Sequence, residues 1–427
     1  MDNIVLSNEQ KRIFDLMENT KQNLFITGKA GSGKSYLLNY FRTFTKKNAL
    51  YTAPTGMAAL NIDGVTLHSA FGFDNLKDEH YIKISENQTW LLKKLDTLVI
   101  DEVSMVRVDM FEQIDKILKK ANNNSAPFGG KQVIIFGDIF QLPPIVATKE
   151  EKEYFYNKYG NSFFFYSNAY KNGGFVFMEL EEIHRQTDKK FIDILNAVRE
   201  GKLSEHDASI LNQHYTPFIP ENVLHLVPKR AISEQINQRF LNRIEEKEYI
   251  YNATISAGNI KYIKEKDYRC DFKLKLKVGA SVMMIANDKE QKRWVNGTLG
   301  VIKELSDKYI KVNINGKEYD VGRYDFIKYR CVYDREKQKL SYVVQSCVSQ
   351  FPLILAYAIT IHKAQGMTCN QVICDLEECF APGQSYVALS RCKSIENLYL
   401  VNRIDPNVVM VDRAILNFYY NQIRKVS

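Results

Sequence analysis

No apolar run in this 427-residue chain approaches the roughly 20 residues that a membrane span needs. The opening Met1-Asp2-Asn3-Ile4 lacks the basic-then-apolar layout of a secretory signal, so the expected location is cytoplasmic. Neither charge sign dominates: 58 Lys plus Arg against 50 Asp plus Glu leaves a net +8, without a polycationic tail. The seven cysteines, Cys270, Cys331, Cys347, Cys369, Cys374, Cys379 and Cys392, form no CxxC and have no histidine at zinc-ligand spacing, which points to reduced structural thiols. No internal repeat and no extended low-complexity tract is present. A hydrophobic share of 45% and a charged share of 25% exclude disordered, collagen-like and disulfide-scaffold classes. At about 150 residues per domain, the length predicts two to four domains. The modest positive balance permits an anionic partner without requiring one.

What remains is an alternation of short apolar runs with amphipathic stretches, the pattern of parallel strands joined by helices. In the first half the strands are expected at Leu24 to Thr27, Leu50 to Ala53, Leu98 to Ile100 and Val133 to Phe136. Each is followed at once by a polar or glycine-bearing cluster, and in an open parallel sheet those clusters share one rim, where ligands bind. Residues 187 to 200 predict an amphipathic helix with Thr187 or Asp188 as N-cap and Gly201 as stop. From about 235 to 345 short alternating runs, such as Lys273 to Val278, and the turn pairs Asn296-Gly297 and Asn315-Gly316 predict a small β-rich module. After 346 the α/β texture returns, with strands expected at Leu353 to Ile359, Gln371 to Leu376 and Leu398 to Val401. The β-rich module therefore reads as an insertion into a second α/β domain.

The strongest chemical signal is Gly28-Lys29-Ala30-Gly31-Ser32-Gly33-Lys34-Ser35, a complete GxxxxGK[ST] phosphate loop between a strand and a helix. Its glycines let backbone N–H groups turn toward the phosphates, Lys34 neutralises charge, and Ser35 offers a hydroxyl to Mg²⁺. Asp101-Glu102, at the end of Thr97 to Ile100, supplies one carboxylate for the metal and a second to orient and deprotonate the attacking water. Two adjacent carboxylates favour hydrolysis over nucleotide storage. Gln141, in Gly137 to Pro144, is placed either to contact the γ-phosphate or lytic water, or merely as an exposed amide in a proline-terminated loop. Gln10 fits an adenine contact and equally fits an S-x-x-Q capping box begun by Ser7. Trp294 reads either as module core or as a ring beside a polymer path.

Taken in order, Gln10, Gly28 to Ser35, Ala53 to Ala59, Gly64 to Gly72, Asp101 to Met105, Gly137 to Pro144, Glu182 to Asp188, Tyr357 to Thr368 and Tyr386 to Arg391 resemble successive motifs of superfamily 1 helicases. The similarity is closest to the Pif family in the RecD-like, type B branch, and it is collinear from residue 6 to residue 400. Asp188, Phe191, Leu195 and Arg199 resemble that family's signature helix, although the residues by themselves call only for amphipathic packing.

The resemblance implies two RecA-like parallel-sheet P-loop domains: 1–184, with a short insertion near 64–76, and 185–234 joined with 346–427, carrying an SH3-like β insertion at 235–345. It implies ATP and Mg²⁺ as cofactors. The nucleotide would meet Gln10, Gly28, Ala30, Gly31, Ser32, Gly33, Lys34, Ser35, Gln141, Arg185, Gly366 and Arg391, and the metal Ser35 and Asp101. Glu102 would be the base, with Lys34, Gln141, Arg185 and Arg391 sharing the catalytic work. Single-stranded DNA would lie on Pro54, Thr55, His68 and Phe71 in the first domain and on Thr360, His362 and Lys363 in the second. The implied protein is a monomeric, nucleoid-associated, 5′-to-3′ ATP-dependent DNA helicase acting at single-strand/duplex junctions, with G-quadruplex DNA and RNA–DNA hybrids as further substrates and roles in repair, recombination and telomere maintenance. Two other classes share parts of the pattern. A binding-only nucleotide switch would explain the phosphate loop alone, and a DNA-stimulated translocase subunit of a recombination complex would share the engine.

Overall fold

Fully buried, mostly apolar runs make the four inner strands of the first half, as expected of a parallel sheet covered on both faces, whereas the two edge strands are only partly buried. The six strands are β1 (Leu24–Gly28), β2 (Ala49–Ala53), β3 (Val65–Thr66), β4 (Thr97–Ile100), β5 (Gln132–Phe136) and β6 (Val176–Leu180). All pairings are parallel, in the order β3-β2-β4-β5-β1-β6, so every strand delivers its carboxyl end to the same edge. In the computed structural model, residues 6–73, 84–218, 220, 223–258, 263–265, 268–288, 290–334 and 336–426 are described; the expected insertion at 64–76 therefore runs partly outside them.

The chain divides into two compact units. One holds Met1–His184, Tyr329–Val343 and Arg413–Ser427; the other holds Arg185–Lys328 and Val344–Asp412. In the first, the helices Asn8–Asn19 and Lys34–Phe44 bury Ile13, Met17, Leu37 and Phe41 against Ile26 and Phe136. A second aromatic layer packs edge-on around Phe25, with Phe164, Tyr170 and Phe177. The terminal helix Arg413–Val426 joins that layer: Phe418 stacks on Phe165 at 4.1 Å, and the Tyr419 hydroxyl donates to Glu179. The sequence pattern alone groups this helix with residues 346–427. Likewise residues 329–343, read as part of the β insertion, belong to the first unit, where Tyr333 meets Trp90 edge-on at 4.6 Å and the Tyr342 hydroxyl accepts from Tyr51 N–H.

The second unit has its own parallel sheet, ordered Ala358–Thr360, His225–Val227, Val372–Cys374, Leu398–Leu400. It also holds an antiparallel sheet in which Ser281–Met284, Leu299–Leu305, Ile310–Ile314 and Lys317–Val321 form a meander. Trp294 is buried in the core of this module, beside Tyr319, with the Arg293 guanidinium over its ring at 4.3 Å. The fold is thus the expected α/β architecture of parallel-sheet, RecA-like domains with an added β-rich module. The helix Arg230–Arg243 runs across the boundary expected near 235.

One expected strand divides. Leu353 to Ile359 reads as a single apolar run, yet Leu353–Leu355 pairs antiparallel with Ser281–Met284, whereas Ala358–Thr360 pairs parallel with His225–Val227. The break is set by side chains that capture main-chain groups: Asn237 Oδ1 accepts from the N–H groups of Tyr357 and Ala358 at 3.1 and 2.9 Å, and the Tyr357 hydroxyl accepts from Ser281 N–H.

His225, central in the second sheet, is held neutral by burial, its pKa pushed down from 6.5 to about 4. Above pH 6.5 both folded and unfolded chains carry it uncharged; between pH 6.5 and 4 only the unfolded chain takes the proton. Stability contributed by the neutral ring is therefore lost as pH falls through that window, by at most about 3 kcal/mol. Urea unfolding at pH 7 and pH 4.5 should show this loss, and His225→Leu should flatten it.

Candidate nucleotide and nucleic-acid sites

The phosphate loop leaves β1 through a backbone that only glycine tolerates. A Cβ on Gly28 would lie 2.5 Å from Ser32 Oγ and 2.6 Å from Leu180 O. Gly33, at φ 83°, starts the helix Lys34–Phe44, and a Cβ there would meet Gln10 Nε2 at 2.7 Å. Gln10 is buried, and the capping box is real: its Oε1 accepts from Ser7 N–H, and Ser7 Oγ accepts from Gln10 N–H. That box ties up the oxygen of the amide and leaves its nitrogen beside Gly33, the N-cap of the loop's helix. Ala30 and Ser32 are buried in the loop, and Gly31 O accepts from His184 N–H at 2.9 Å. Lys34 folds back over the loop, donating to Gly28 O at 2.7 Å, Lys29 O at 2.9 Å and Ser32 Oγ at 3.4 Å. Ser35 follows as the second residue of the helix.

Asp101 immediately follows β4, and its N–H donates to Thr52 O. Enclosure by protein pushes its carboxyl up to about 6, opposed by the Glu102 main chain and by the Lys34 ammonium, which is close enough to act on it. The donor set offered by Ser35 and Asp101 is oxygen only, a hydroxyl and a carboxylate, which suits a hard divalent cation that completes its shell with phosphate oxygens and water. Among the described residues no group of three or more His, Cys, Asp or Glu side chains forms a cage for a metal. A cation here would be shared with the phosphates, and the residues fit that use.

Glu102 adopts φ 52°, ψ 45°, the left-handed region that a side-chain-bearing residue enters at a cost of roughly 1 kcal/mol. Strain of this kind collects where a side chain must point in a direction that regular backbone would not give. Gln141 lies on the same rim, after β5. It is buried and its N–H donates to Asp138 O, so it is not the exposed amide of the alternative reading.

The nucleic-acid candidates of the first unit are mixed. Pro54 is partly exposed, and Thr55 spends its hydroxyl capping the helix Gly56–Asn61 by accepting from Ala58 N–H. His68 is exposed, sits edge-on to Phe73, and has its pKa lowered by partial burial and by the nearby Arg107. Phe71 corrects the sequence reading: its ring is fully buried and lies nearly parallel to Phe73 at 5.9 Å, so it is core and presents no face to a base. The hydrophobic spacing Leu67 to Phe71 puts both side chains on the buried side of one short helix.

In the second unit Thr360 closes its strand and accepts from Lys363 N–H with its hydroxyl, leaving Lys363 exposed. Burial lowers the pKa of His362, and Gly366 completes the turn at φ 79°. Arg391 is almost wholly buried, donating to Val387 O, Met367 O and Ser390 Oγ, three uncharged acceptors. Arg185 donates to Ser390 O at 3.1 Å, and burial together with the adjacent Arg391 guanidinium presses its pKa down to about 9. Two like charges held side by side on neutral oxygens form an anion-seeking pair. The sequence reading missed the residues that assemble the pair: Ser390, which receives both guanidiniums, and buried Gln186, whose amide donates to Ser390 O and Cys392 O. The available signal was a polar side chain immediately beside each arginine.

The model of the PIF1-like helicase family matches residues 5–209. The "ATP-dependent DNA helicase Pif1" of Bdellovibrio bacteriovorus is 35% identical over 426 residues, covering 97% of this chain and 92% of that protein. The "ATP-dependent DNA helicase PIF1" of Danio rerio is 33% identical, and the chain spans 64% of its length. Two crystal structures of Bacteroides Pif1, each 36% identical, align as well: the complex with ADP-AlF4 at TM-score 0.90, covering 99% of this chain and 98% of that one, and the form bound to ssDNA at TM-score 0.71, covering 98% and 97%. Phosphate loop, paired carboxylates, arginine pair and near full-length similarity agree, and the chain belongs to the PIF1-like helicase family.

Proposed function

We propose that this protein is an ATP-dependent DNA helicase that moves 5′-to-3′ along single-stranded DNA and separates duplex ahead of it, by itself as a monomer. The observation that supports it best is the end of β4, where Asp101 lies within reach of the Lys34 charge and is followed by Glu102 in a left-handed conformation. A nucleotide store needs the first carboxylate and has no use for a strained second one. Bound Mg²⁺ would draw charge from the β- and γ-phosphates; Ser35 and Asp101 are the residues to hold it. Lys34 takes the phosphate charge, Glu102 accepts the proton of the attacking water, and Gln141 orients that water. Arg185 and Arg391 neutralise charge as the γ-phosphoryl departs. Thr360, His362 and Lys363 grip the strand through phosphate contacts that read no sequence. The proposed location is cytoplasmic and nucleoid-associated, with G-quadruplexes and RNA–DNA hybrids as further substrates and a part in repair and recombination.

The test is turnover with and without single-stranded DNA, followed by strand separation on duplexes carrying either a 5′ or a 3′ tail. Strong stimulation, with unwinding confined to the 5′-tailed duplex, is expected. Turnover indifferent to DNA returns the chain to the nucleotide-switch class; stimulation without strand separation makes it a translocase; unwinding from the 3′ tail reverses the polarity.

A further inference from the structure

Phe380 stands outside every motif that the functional reading uses, and its ring is 59% exposed. Single exposed aromatics are common on protein surfaces and mean little alone. This one differs in how it is held and in what lies beside it. Its loop is pinned from within: buried Gln384 accepts from both Phe380 N–H at 2.8 Å and Ala381 N–H at 3.1 Å, Gly383 N–H donates to Met410 O, and Lys229 pairs with Glu378 at 2.7 Å. The His362 imidazole lies nearly parallel to the Phe380 ring, with centroids 6.3 Å apart and planes at 19°. Exposed Lys363 follows in the chain. A flat hydrophobic face, a flat hydrogen-bonding ring and an ammonium thus occur together on one unit.

That combination is what single-stranded nucleic acid uses: stacking for a base, hydrogen bonding and charge for the backbone. We infer that Phe380 is a base-stacking residue of the single-stranded DNA site, extending the Thr360-His362-Lys363 grip from phosphates to a nucleobase. The inference rests on the proposed DNA-translocating function and deepens it. The ring is sequence-tolerant because every base has a π-face, so it adds affinity without adding specificity. The pinned loop also keeps the ordering cost of binding low.

Fluorescence anisotropy with a labelled oligo-dT and with an oligonucleotide of the same length made of abasic sites tests it. Phe380→Ala should weaken oligo-dT binding about 5- to 100-fold, leave the affinity for the abasic strand nearly unchanged, and keep the salt slope; Phe380→Tyr should restore binding. Lys363→Ala provides the contrast, weakening both strands and lowering the salt slope by about one. Equal loss on both strands, or no loss on oligo-dT, overturns the stacking role while the helicase reading stands. Failure of the unaltered protein to bind oligo-dT at all overturns the helicase reading itself.

Discussion

Glu102→Gln should bind ATP as the parent chain does and lose its hydrolysis. The amide keeps the size and the left-handed backbone of the carboxylate, so neither fold nor phosphate contacts change, but it cannot accept a proton. General bases contribute about 10²- to 10⁴-fold, and a fall of that order in single-turnover rate is expected. Binding of a fluorescent ATP analogue should be preserved in the same preparation. A companion variant separates chemistry from strain: Glu102→Gly relieves the φ 52° conformation, so it should gain thermal stability while losing turnover equally. A Glu102→Gln rate within about threefold of the parent removes Glu102 as the base.

Arginine removal is the second large effect. Groups that stabilise departing phosphoryl charge are worth about 10³- to 10⁵-fold in rate. Arg185→Ala is the cleaner probe, because Arg185 makes its bond to Ser390 O from a partly exposed position. It should lower ATP turnover steeply with DNA affinity in the absence of nucleotide unchanged. Arg391→Ala should do the same and also destabilise the protein: Val387 O keeps the Ser390 hydroxyl as donor, but buried Met367 O loses its guanidinium partner, at about 1–3 kcal/mol. Arg391→Lys keeps the charge but replaces the planar guanidinium fork with a compact ammonium that does not reproduce its directions to Val387 O, Met367 O and Ser390 Oγ, so partial rescue of rate is expected. Unchanged turnover in Arg185→Ala would show that the pair serves the fold alone.

Much of the first sheet was legible because burial on both faces forces continuous apolar runs, and the observed β1, β2, β4 and β5 extend the expected strands by a residue at one end. The helix expected over 187–200 forms as Lys189–Glu200, capped by Asp188 and ended by Gly201. What escaped has particular causes. Three-residue strands such as His225–Val227 are too short to carry a period. The division of Leu353 to Ile359 depends on Asn237, over a hundred residues away in sequence. The terminal helix and residues 329–343 take their place through aromatic contacts, Phe418 with Phe165 and Tyr333 with Trp90, which no local pattern encodes. Phe71 was misjudged because its type suited stacking, whereas its spacing from Leu67 already argued for core. Side-chain identity marked the chemistry well, and only the environment told a stacking ring from a packed one.

The Lys34 ammonium rests on three oxygens of its own loop, two of them main-chain carbonyls. A triphosphate that took the ammonium for itself would have to break these contacts. A phosphate bound here would compete with these three internal oxygens for one ammonium, so part of what Lys34 offers a ligand would go into releasing the loop.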